Sequence, residues 1–462
     1  MKRGLSATKA LVAGVALLGS AAPVAVWAQP TPSESKASVP VLLISIDGLR
    51  PGDVLEADKR GLKIPNLRRF LKEGAYATGV TGNLPTVTYP SHTTLITGVA
   101  PARHGIFSNT TFDPKQVNYG GWYWFADDLK AQTLWDAAHK AGRTTGNVHW
   151  PVSVGVKSLT YNLPQIWRSG HADDRKMLKA MATDGLYDAL EHDCGAYADG
   201  IDEGVDGDET RARFAVRMIE TKKPEFMTVY LAGLDHEEHA SGPGSAASNA
   251  VLERLDAVVG RLVAAEMAAH PDATVSVVSD HGFAATDTEI NLFRPFIDAG
   301  LITLGTDHKV ASWDAMPWPS GGSIAVVLAR PDDAALTAKV GTLLASLAAD
   351  PQARIAGVAD RAGIARLGGN PQASFFIDLQ PGALAGNFAA DTPLAKPSRA
   401  KGMHGYFPAL PEMRSTFLIM GKGVAKARNL GEIDMRAIAP TLARKIGVEL
   451  PEAQVSALKI LP

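Results

Sequence analysis

Three short apolar runs, Val41–Ile46 (VLLISI), Phe226–Leu231 (FMTVYL) and Thr274–Val278 (TVSVV), are each followed closely by an aspartate: Asp47, Asp235 and Asp280. Continuous, β-branched runs of this length suit strands buried on both faces of a sheet. Between them the chain shows helical patterns. Pro65–Glu73 has proline at its start and Gly74 just past its end, and residues 131–141 run up to Gly142. Val251, Leu252, Leu255, Val258, Val259 and Leu262 form an apolar stripe at helical spacing. Strands alternating with helices predict an α/β core, with a mostly parallel central sheet covered by helices on both faces. Ligand sites in such sheets gather outside the carboxyl ends of the strands. One aspartate there is an ordinary turn residue. Three of them, from distant parts of the chain, would converge on one place.

The two ends of the chain frame this core. Residues 1–28 read as a signal peptide. Lys2, Arg3 and Lys9 precede an apolar stretch broken by Gly14, Gly19 and Pro23, and Val26-Trp27-Ala28 supplies the small residues of a cleavage site. Cleavage near Ala28 predicts a secreted or periplasmic protein, with residues 29–38, rich in Pro and Ser, as a tether. No second run of about 18 uncharged apolar residues follows, so no membrane span is expected in the mature chain. The catalytic domain is expected over residues 39–450. Within it, residues 290–400 are expected to form a small inserted α/β lobe, with strands at 323–329 and 374–378 and a helix at 333–348. A strand at 416–420 and a helix at 435–446 then resume the core.

A formal charge of −2, made more negative by loss of the leader, gives no electrostatic footprint for a nucleic-acid partner. A small-molecule substrate is the expectation. Cys194 is the only cysteine, which excludes an intramolecular disulfide and a thiolate zinc site. Any metal therefore sits on Asp, Glu and His.

The histidines fit that demand. Asp235 and His239 stand four apart, sharing one face of a helical turn. Asp280-His281-Gly282 sets a carboxylate beside an imidazole at a strand end, and His404 lies between Gly402 and Gly405. With Asp47 they offer six N/O ligands, enough for two zinc ions with three protein ligands each. Thr88 leads into an apolar run ending at Gly98, and Pro90 suits a first helical turn. That spacing puts Thr88 about at the N-cap, where free amides and the helix dipole favour an alkoxide and a phosphate.

Ile46-Asp47-Gly48-Leu49-Arg50-Pro51, Leu84-Pro85-Thr86-Val87-Thr88-Tyr89-Pro90-Ser91-His92 and His104-Gly105-Ile106 with Asn109 together resemble the nucleotide pyrophosphatase/phosphodiesterase family of the alkaline phosphatase superfamily. Asp235…His239, Asp280-His281-Gly282 and His404-Gly405-Tyr406 follow in that family's order, and Trp150-Pro151 echoes its segment after the third strand. The likeness runs from about Val39 to Val448. It implies an alkaline phosphatase-like fold and one zinc held by Asp235, His239 and His404. It implies a second zinc held by Asp47, Asp280 and His281, with Thr88 as fourth ligand and nucleophile. Asn109 and the Tyr89 amide would then hold a non-bridging phosphoryl oxygen. His236 is a competing ligand candidate beside His239, and His92 a candidate phosphate contact.

The expected chemistry is zinc-dependent hydrolysis of phosphodiester or pyrophosphate bonds through a phospho-threonine, most naturally on nucleotide-type substrates. A threonine-nucleophile phosphomonoesterase and a phosphonoacetate hydrolase use much the same ligands. A monoesterase would want extra cations, for which Lys157 and Arg168 are the candidates. A sulfatase needs Cys or Ser followed by Pro and Arg, which Thr88-Tyr89-Pro90-Ser91-His92 lacks. An inactive metal-binding homologue is the non-enzymatic reading, and the presence of Thr88 with every ligand argues against it. Tyr89, Trp122, Tyr123 and Trp124 are candidates for stacking a base.

Overall fold

The computed structural model describes residues 38–118, 121–166, 173–197 and 203–461. The leader, all but the last residue of the tether, and Arg168 lie outside the described residues.

An eight-stranded sheet forms the centre. Its strands are β1 (Val41–Ile46), β2 (Gly74–Tyr76), β3 (Thr145–Val148), β4 (Tyr161–Leu163), β5 (Phe226–Leu231), β6 (Thr274–Val278), β7 (Phe417–Gly421) and β8 (Arg428–Asn429). The order across the sheet is β8-β2-β7-β6-β1-β5-β3-β4. From β6 through β4 all neighbours are parallel, whereas β7 runs antiparallel to both β6 and β2. Every side chain of β1, β5 and β6 is buried. Alternation within β1 explains why: Leu42, Ile44 and Ile46 enter the core on one face of the sheet, and Val41 and Leu43 the core on the other. Helices α2 (Val205–Lys222) and α4 (Ala246–Ala269) cover the first face; α1 (Thr88–Thr97) and Ile438–Ile446 cover the second. The mostly parallel sheet between two helical layers is the architecture expected from the sequence.

Helix Pro65–Glu73 has the bounds expected of it. The helix expected over 131–141 is shorter, Leu134–Lys140, because Thr133 caps it and exchanges bonds with Asp136. The terminal helix begins as a 3-10 turn, Met435–Ala437, before Ile438–Ile446.

Residues past β6 carry a separate four-stranded antiparallel sheet of Ala315–Ser320, Ser323–Leu328, Ala373–Leu379 and Ile355–Asp360, in that spatial order. Helix Ala334–Ala349 packs on it through Leu336, Val340, Leu344 and Leu347. Ala315–Ser320 (AMPWPS) is an edge strand, the one place in a sheet that tolerates its two prolines. A ribbon built on Ala284–Ile290 pairs with Gly402–Met403, which brings the His404 segment back to the core.

Candidate active site

β1, β5 and β6 lie side by side and parallel, so their carboxyl ends open on one edge of the sheet. Asp47 follows β1 directly and Asp280 follows β6 by two residues. Asp235 sits in the first turn of α3 (Gly233–Ser241), which starts just beyond β5. His239, one turn further along α3, points the same way: its Nε2 is 3.4 Å from Asp235 Oδ2. His236 faces outward, half exposed and 3.2 Å from Glu203, so His239 is the one that joins the site.

His404 arrives from the far end of the chain, its Nε2 3.5 Å from Asp235 Oδ1. Gly405 makes that approach possible. It has φ +89, and a Cβ there would sit 2.0 Å from the Ser320 carbonyl oxygen. Deeper in, His281 Nε2 lies 3.3 Å from Asp47 Oδ1, 3.1 Å from Asp280 Oδ2 and 3.4 Å from Thr88 Oγ1. Ligand atoms of Asp235, His239 and His404 fall within 4.8 Å of one another, and so do those of Asp47, Asp235 and His281. The aspartate expected to serve one group alone thus stands between both, with Asp280 alongside.

These groups are set to receive cations. Asp47 Oδ1, Asp235 Oδ1 and Asp280 Oδ2 are buried, and no hydrogen-bond donor reaches them among the described residues. Burial raises the pKa of all three well above the usual carboxylate value. Mutual repulsion adds to it, from Asp235 on Asp47, from Asp280 on Asp235 and from Asp47 on Asp280. Three orphaned carboxylate oxygens in one dry space are unfavourable without a positive charge among them. The histidines supply no proton of their own. Burial first, then neighbouring imidazoles, hold His281 and His404 well below the usual histidine pKa, and burial also lowers His239. Each ring places Nδ1 against a backbone carbonyl: Gly402 for His239 at 3.0 Å, Gly282 for His281 at 3.2 Å and Thr86 for His404 at 3.2 Å. A neutral ring that donates through Nδ1 presents Nε2 as a lone pair, the form a metal takes. The residues fit a bound metal cation, with two overlapping ligand groups that share Asp235.

Thr88 is the first residue of α1, and Val87 is its N-cap. The N-cap position expected for Thr88 is therefore off by one residue. The difference matters, because its hydroxyl makes no cap bond and faces His281 and Asn109 instead. Asn109 Nδ2 is 3.5 Å from Thr88 Oγ1, and Asn109 Oδ1 accepts from the Tyr89 amide at 2.9 Å. That amide, expected to face phosphate, is thus engaged in orienting Asn109. His92 is fully buried. Its Nδ1 lies 2.8 Å from the Thr88 carbonyl and its Nε2 2.8 Å from Ser45 Oγ, so it braces the start of α1 rather than lining the cleft.

The cleft over the site has a volume of about 830 Å³ and is lined by Asn109, His239 and His404 among others. Lys396 and Arg399, from the segment returning toward His404, also line it; Lys396 is paired with Glu289 at 3.0 Å. Neither cation lies in a recognisable motif, and exposed Lys157, a candidate from the sequence, is not among the lining residues. A neighbouring cavity of about 440 Å³ shares Thr110, Pro319, Asn387 and Phe388 with the cleft and is walled by Phe112, Trp122 and Trp318. Of the four aromatic candidates only Trp122 lines it; the Tyr89 ring is buried at 5.4 Å from Trp122.

Comparison with known proteins agrees with this geometry. The family model described as Type I phosphodiesterase / nucleotide pyrophosphatase matches residues 41–369. Human ectonucleotide pyrophosphatase/phosphodiesterase family member 1 is 24% identical over 256 residues, or 53% of this chain and 23% of its own length. This chain therefore spans about a quarter of that relative. The solved structure of human ectonucleotide pyrophosphatase/phosphodiesterase 5 is similar with a TM-score of 0.63 at 20% identity, covering 89% of this chain and 95% of that one. The murine counterpart, an inactive threonine-to-alanine variant in complex with AMP, gives a TM-score of 0.63 at 18% identity, covering 91% and 98%. At such identities the structural likeness is one of fold.

Proposed function

Because the chain belongs to the type I phosphodiesterase/nucleotide pyrophosphatase family, we propose that it hydrolyses phosphodiester or pyrophosphate bonds of nucleotide-type substrates through a phospho-threonine on Thr88. The observation that carries this reading is the convergence of Thr88 Oγ1 with three orphaned carboxylate oxygens and the neutral, acceptor-side imidazoles. The murine relative, solved as an inactive threonine-to-alanine variant with AMP bound, is consistent with a nucleotide-type substrate.

Asp235, His239 and His404 would hold one zinc ion; Asp47, Asp280, His281 and Thr88 would hold the other, since a thiolate-free His/Asp set suits that metal. When bound, such a pair supplies Lewis acidity, which acidifies the Thr88 hydroxyl and stabilises charge on the phosphoryl and leaving oxygens. Thr88 gives its hydroxyl proton to solvent, and Oγ1 attacks phosphorus in line. The Oγ1–P bond forms as the bond to the leaving oxygen breaks, and that oxygen takes up a proton from solvent. Water then attacks the phospho-threonine in line; the Oγ1–P bond breaks as the water's oxygen bonds to phosphorus and stays on the product phosphate, the water gives up a proton to solvent, and Oγ1 takes one back. The Asn109 amide, held by the Tyr89 N–H, donates to a non-bridging oxygen as charge develops there. The amino end of α1 adds its dipole behind Thr88.

The same reading takes residues 1–28 as a leader cleaved near Ala28, 29–38 as a tether and about 290–400 as a lobe inserted in a catalytic domain of 39–450. The protein then acts outside the cytoplasm, with no membrane span in its mature form. Among the described residues no helix is long and apolar enough to cross a membrane.

Hydrolysis of a chromogenic phosphodiester, matched against the monoester and the sulfate ester with and without a chelator, tests the proposal. The diester is cleaved fastest and the sulfate ester not at all; chelation abolishes turnover and zinc restores it. Turnover indifferent to chelators overturns the metal reading. A threonine-nucleophile phosphomonoesterase is the second reading, favoured by Lys396 and Arg399 in the cleft. A clear monoester preference in the same assay selects it.

A further inference from the structure

Strands β1 and β5 pair in parallel with Ser45 opposite Tyr230 and Ile46 opposite Leu231, and the Asp47 amide continues the ladder to the Leu231 carbonyl at 2.9 Å. Residues two apart on a strand share a face. Ser45, Asp47 and Tyr230 therefore lie on one side of the sheet, the side from which His92 reaches Ser45. There the Tyr230 hydroxyl donates to Asp47 Oδ2, its one hydrogen-bond partner among the described residues.

The tyrosine has little freedom. It is 1% exposed, and the His92 ring meets it edge-on at 4.7 Å and 76°. On another side His149 stacks at 5.7 Å and 12°. Such an environment admits one orientation of the phenol and so one direction for its O–H. The two oxygens of Asp47 are in consequence unequal. Oδ2 is occupied by Tyr230, while Oδ1 has no donor and lies 3.3 Å from His281 Nε2. A carboxylate pinned through one oxygen presents the other in a fixed direction.

We propose that Tyr230 is a positioning residue for the cation held by Asp47, Asp280 and His281: its hydroxyl fixes the rotation of the Asp47 carboxylate so that Oδ1 alone faces the metal. This rests on the reading of Asp47 as a ligand given above. Tyr230→Phe keeps the ring and its packing and removes only the donor. Outer-sphere partners of metal-bound carboxylates typically hold 10–100-fold in affinity, which sets the scale expected here.

The test begins with zinc titration of metal-free wild type, Tyr230→Phe and Tyr187→Phe against a chromophoric competing chelator. Tyr187 is a tyrosine on the remote helix Leu186–Cys194 whose hydroxyl bonds Glu191, so its variant controls for loss of a phenolic oxygen as such. Wild type and Tyr187→Phe bind two zinc ions with equal affinities. In Tyr230→Phe one site weakens by about 10–100-fold while the other is unchanged, and the melting temperature of the metal-free protein shifts by a few degrees at most. At subsaturating zinc, kcat for the diester falls in parallel with occupancy and KM stays near the wild-type value. Wild-type affinity at both sites of Tyr230→Phe overturns this inference alone. Equal weakening of both sites, or a KM effect without a kcat effect, also overturns it, since a general loss of packing is then the cause. A wild-type protein that binds no divalent cation overturns it together with the metal reading.

Discussion

The imidazole rings of His281 and His404 lie almost parallel, with centroids 3.6 Å apart and planes within 10°. Two rings in van der Waals contact cannot both be protonated in a buried place, and each is indeed pulled toward neutrality by burial and by a neighbouring histidine. Their Nδ1 atoms face different backbone carbonyls, those of Gly282 and Thr86. Their Nε2 atoms face different carboxylates, Asp47 and Asp280 for one ring and Asp235 for the other. On the function proposed above, the stack stands between the two zinc positions, whose ligand groups meet at Asp235. His281→Ala and His404→Ala should each lower bound zinc from two ions to one per chain, measured by elemental analysis after gel filtration. Two full equivalents in either variant would reduce the stack to ordinary packing.

Asn109 offers a sharper electrostatic test. Its Oδ1 accepts from the Tyr89 amide, which turns Nδ2 toward Thr88 Oγ1. Asn109→Asp keeps the shape and that acceptor but replaces the donor with a negative oxygen facing the phosphoryl group. Loss of one such donor typically lowers kcat by about 10²–10³-fold, and the added charge should deepen the effect in kcat/KM. Steady-state kinetics on a diester decide it; an Asn109→Asp enzyme within a few-fold of wild type would remove Asn109 from the mechanism.

Much of this site was legible before any coordinates. Strands β1, β5 and β6 announce themselves as short, largely apolar and β-branched runs, and the aspartates after them need only the rule that ligands gather at strand ends. Asp235 and His239 could be paired because helical spacing is local information. What stayed hidden depends on strand neighbours. Tyr230 and Asp47 are 183 positions apart, and their bond exists only because β5 pairs with β1 in one register. Lys396 and Arg399 enter the cleft by the return path of a ribbon that no periodicity marks. The edge strand Ala315–Ser320 escaped because Pro317 and Pro319 argue against any strand unless it is known to lie at an edge. The one-residue error at Thr88 has a different origin. Threonine is a favoured N-cap, and propensity cannot see that this hydroxyl is engaged by the site.

A buried histidine outside the candidate metal cluster makes stability depend on pH. His104 accepts the Ile106 amide at Nδ1, 3.1 Å away, and lies 3.1 Å from Thr94 Oγ1 through Nε2, so a second ring proton has no place to go. Burial pulls its pKa down to about 3. Between an unfolded value of about 6.5 and that folded value, only the unfolded chain binds the proton. This residue's contribution is therefore present above about pH 6.5 and is lost as pH falls, by about 1.4 kcal/mol per pH unit. His104→Gln should start less stable at neutral pH yet lose stability less steeply between about pH 6 and about pH 4. Urea unfolding across that range gives both slopes. Parallel slopes would mean that His104 titrates in the folded protein.

Thr88→Ala separates the chemistry from the scaffold. The side chain does not cap α1, and its hydroxyl has only the long contacts of 3.4 Å to His281 and 3.5 Å to Asn109. Losing it should therefore cost about 1 kcal/mol or less, below the usual penalty for removing a true cap. Melting temperature and circular dichroism should stay close to wild type. Activity should fall by several orders of magnitude, since deleting a covalent nucleophile removes the reaction path rather than one contact along it. Thr88→Ser keeps the hydroxyl and should retain a measurable fraction. The order of events can be read from stereochemistry as well. Two successive in-line displacements, first by Thr88 and then by water, give net retention at phosphorus, so a chiral thio-substituted diester cleaved in labelled water should yield a product of retained configuration. Inversion there, or near-wild-type turnover by Thr88→Ala, would mean that water attacks the substrate directly, with Thr88 merely the first residue of a buried helix.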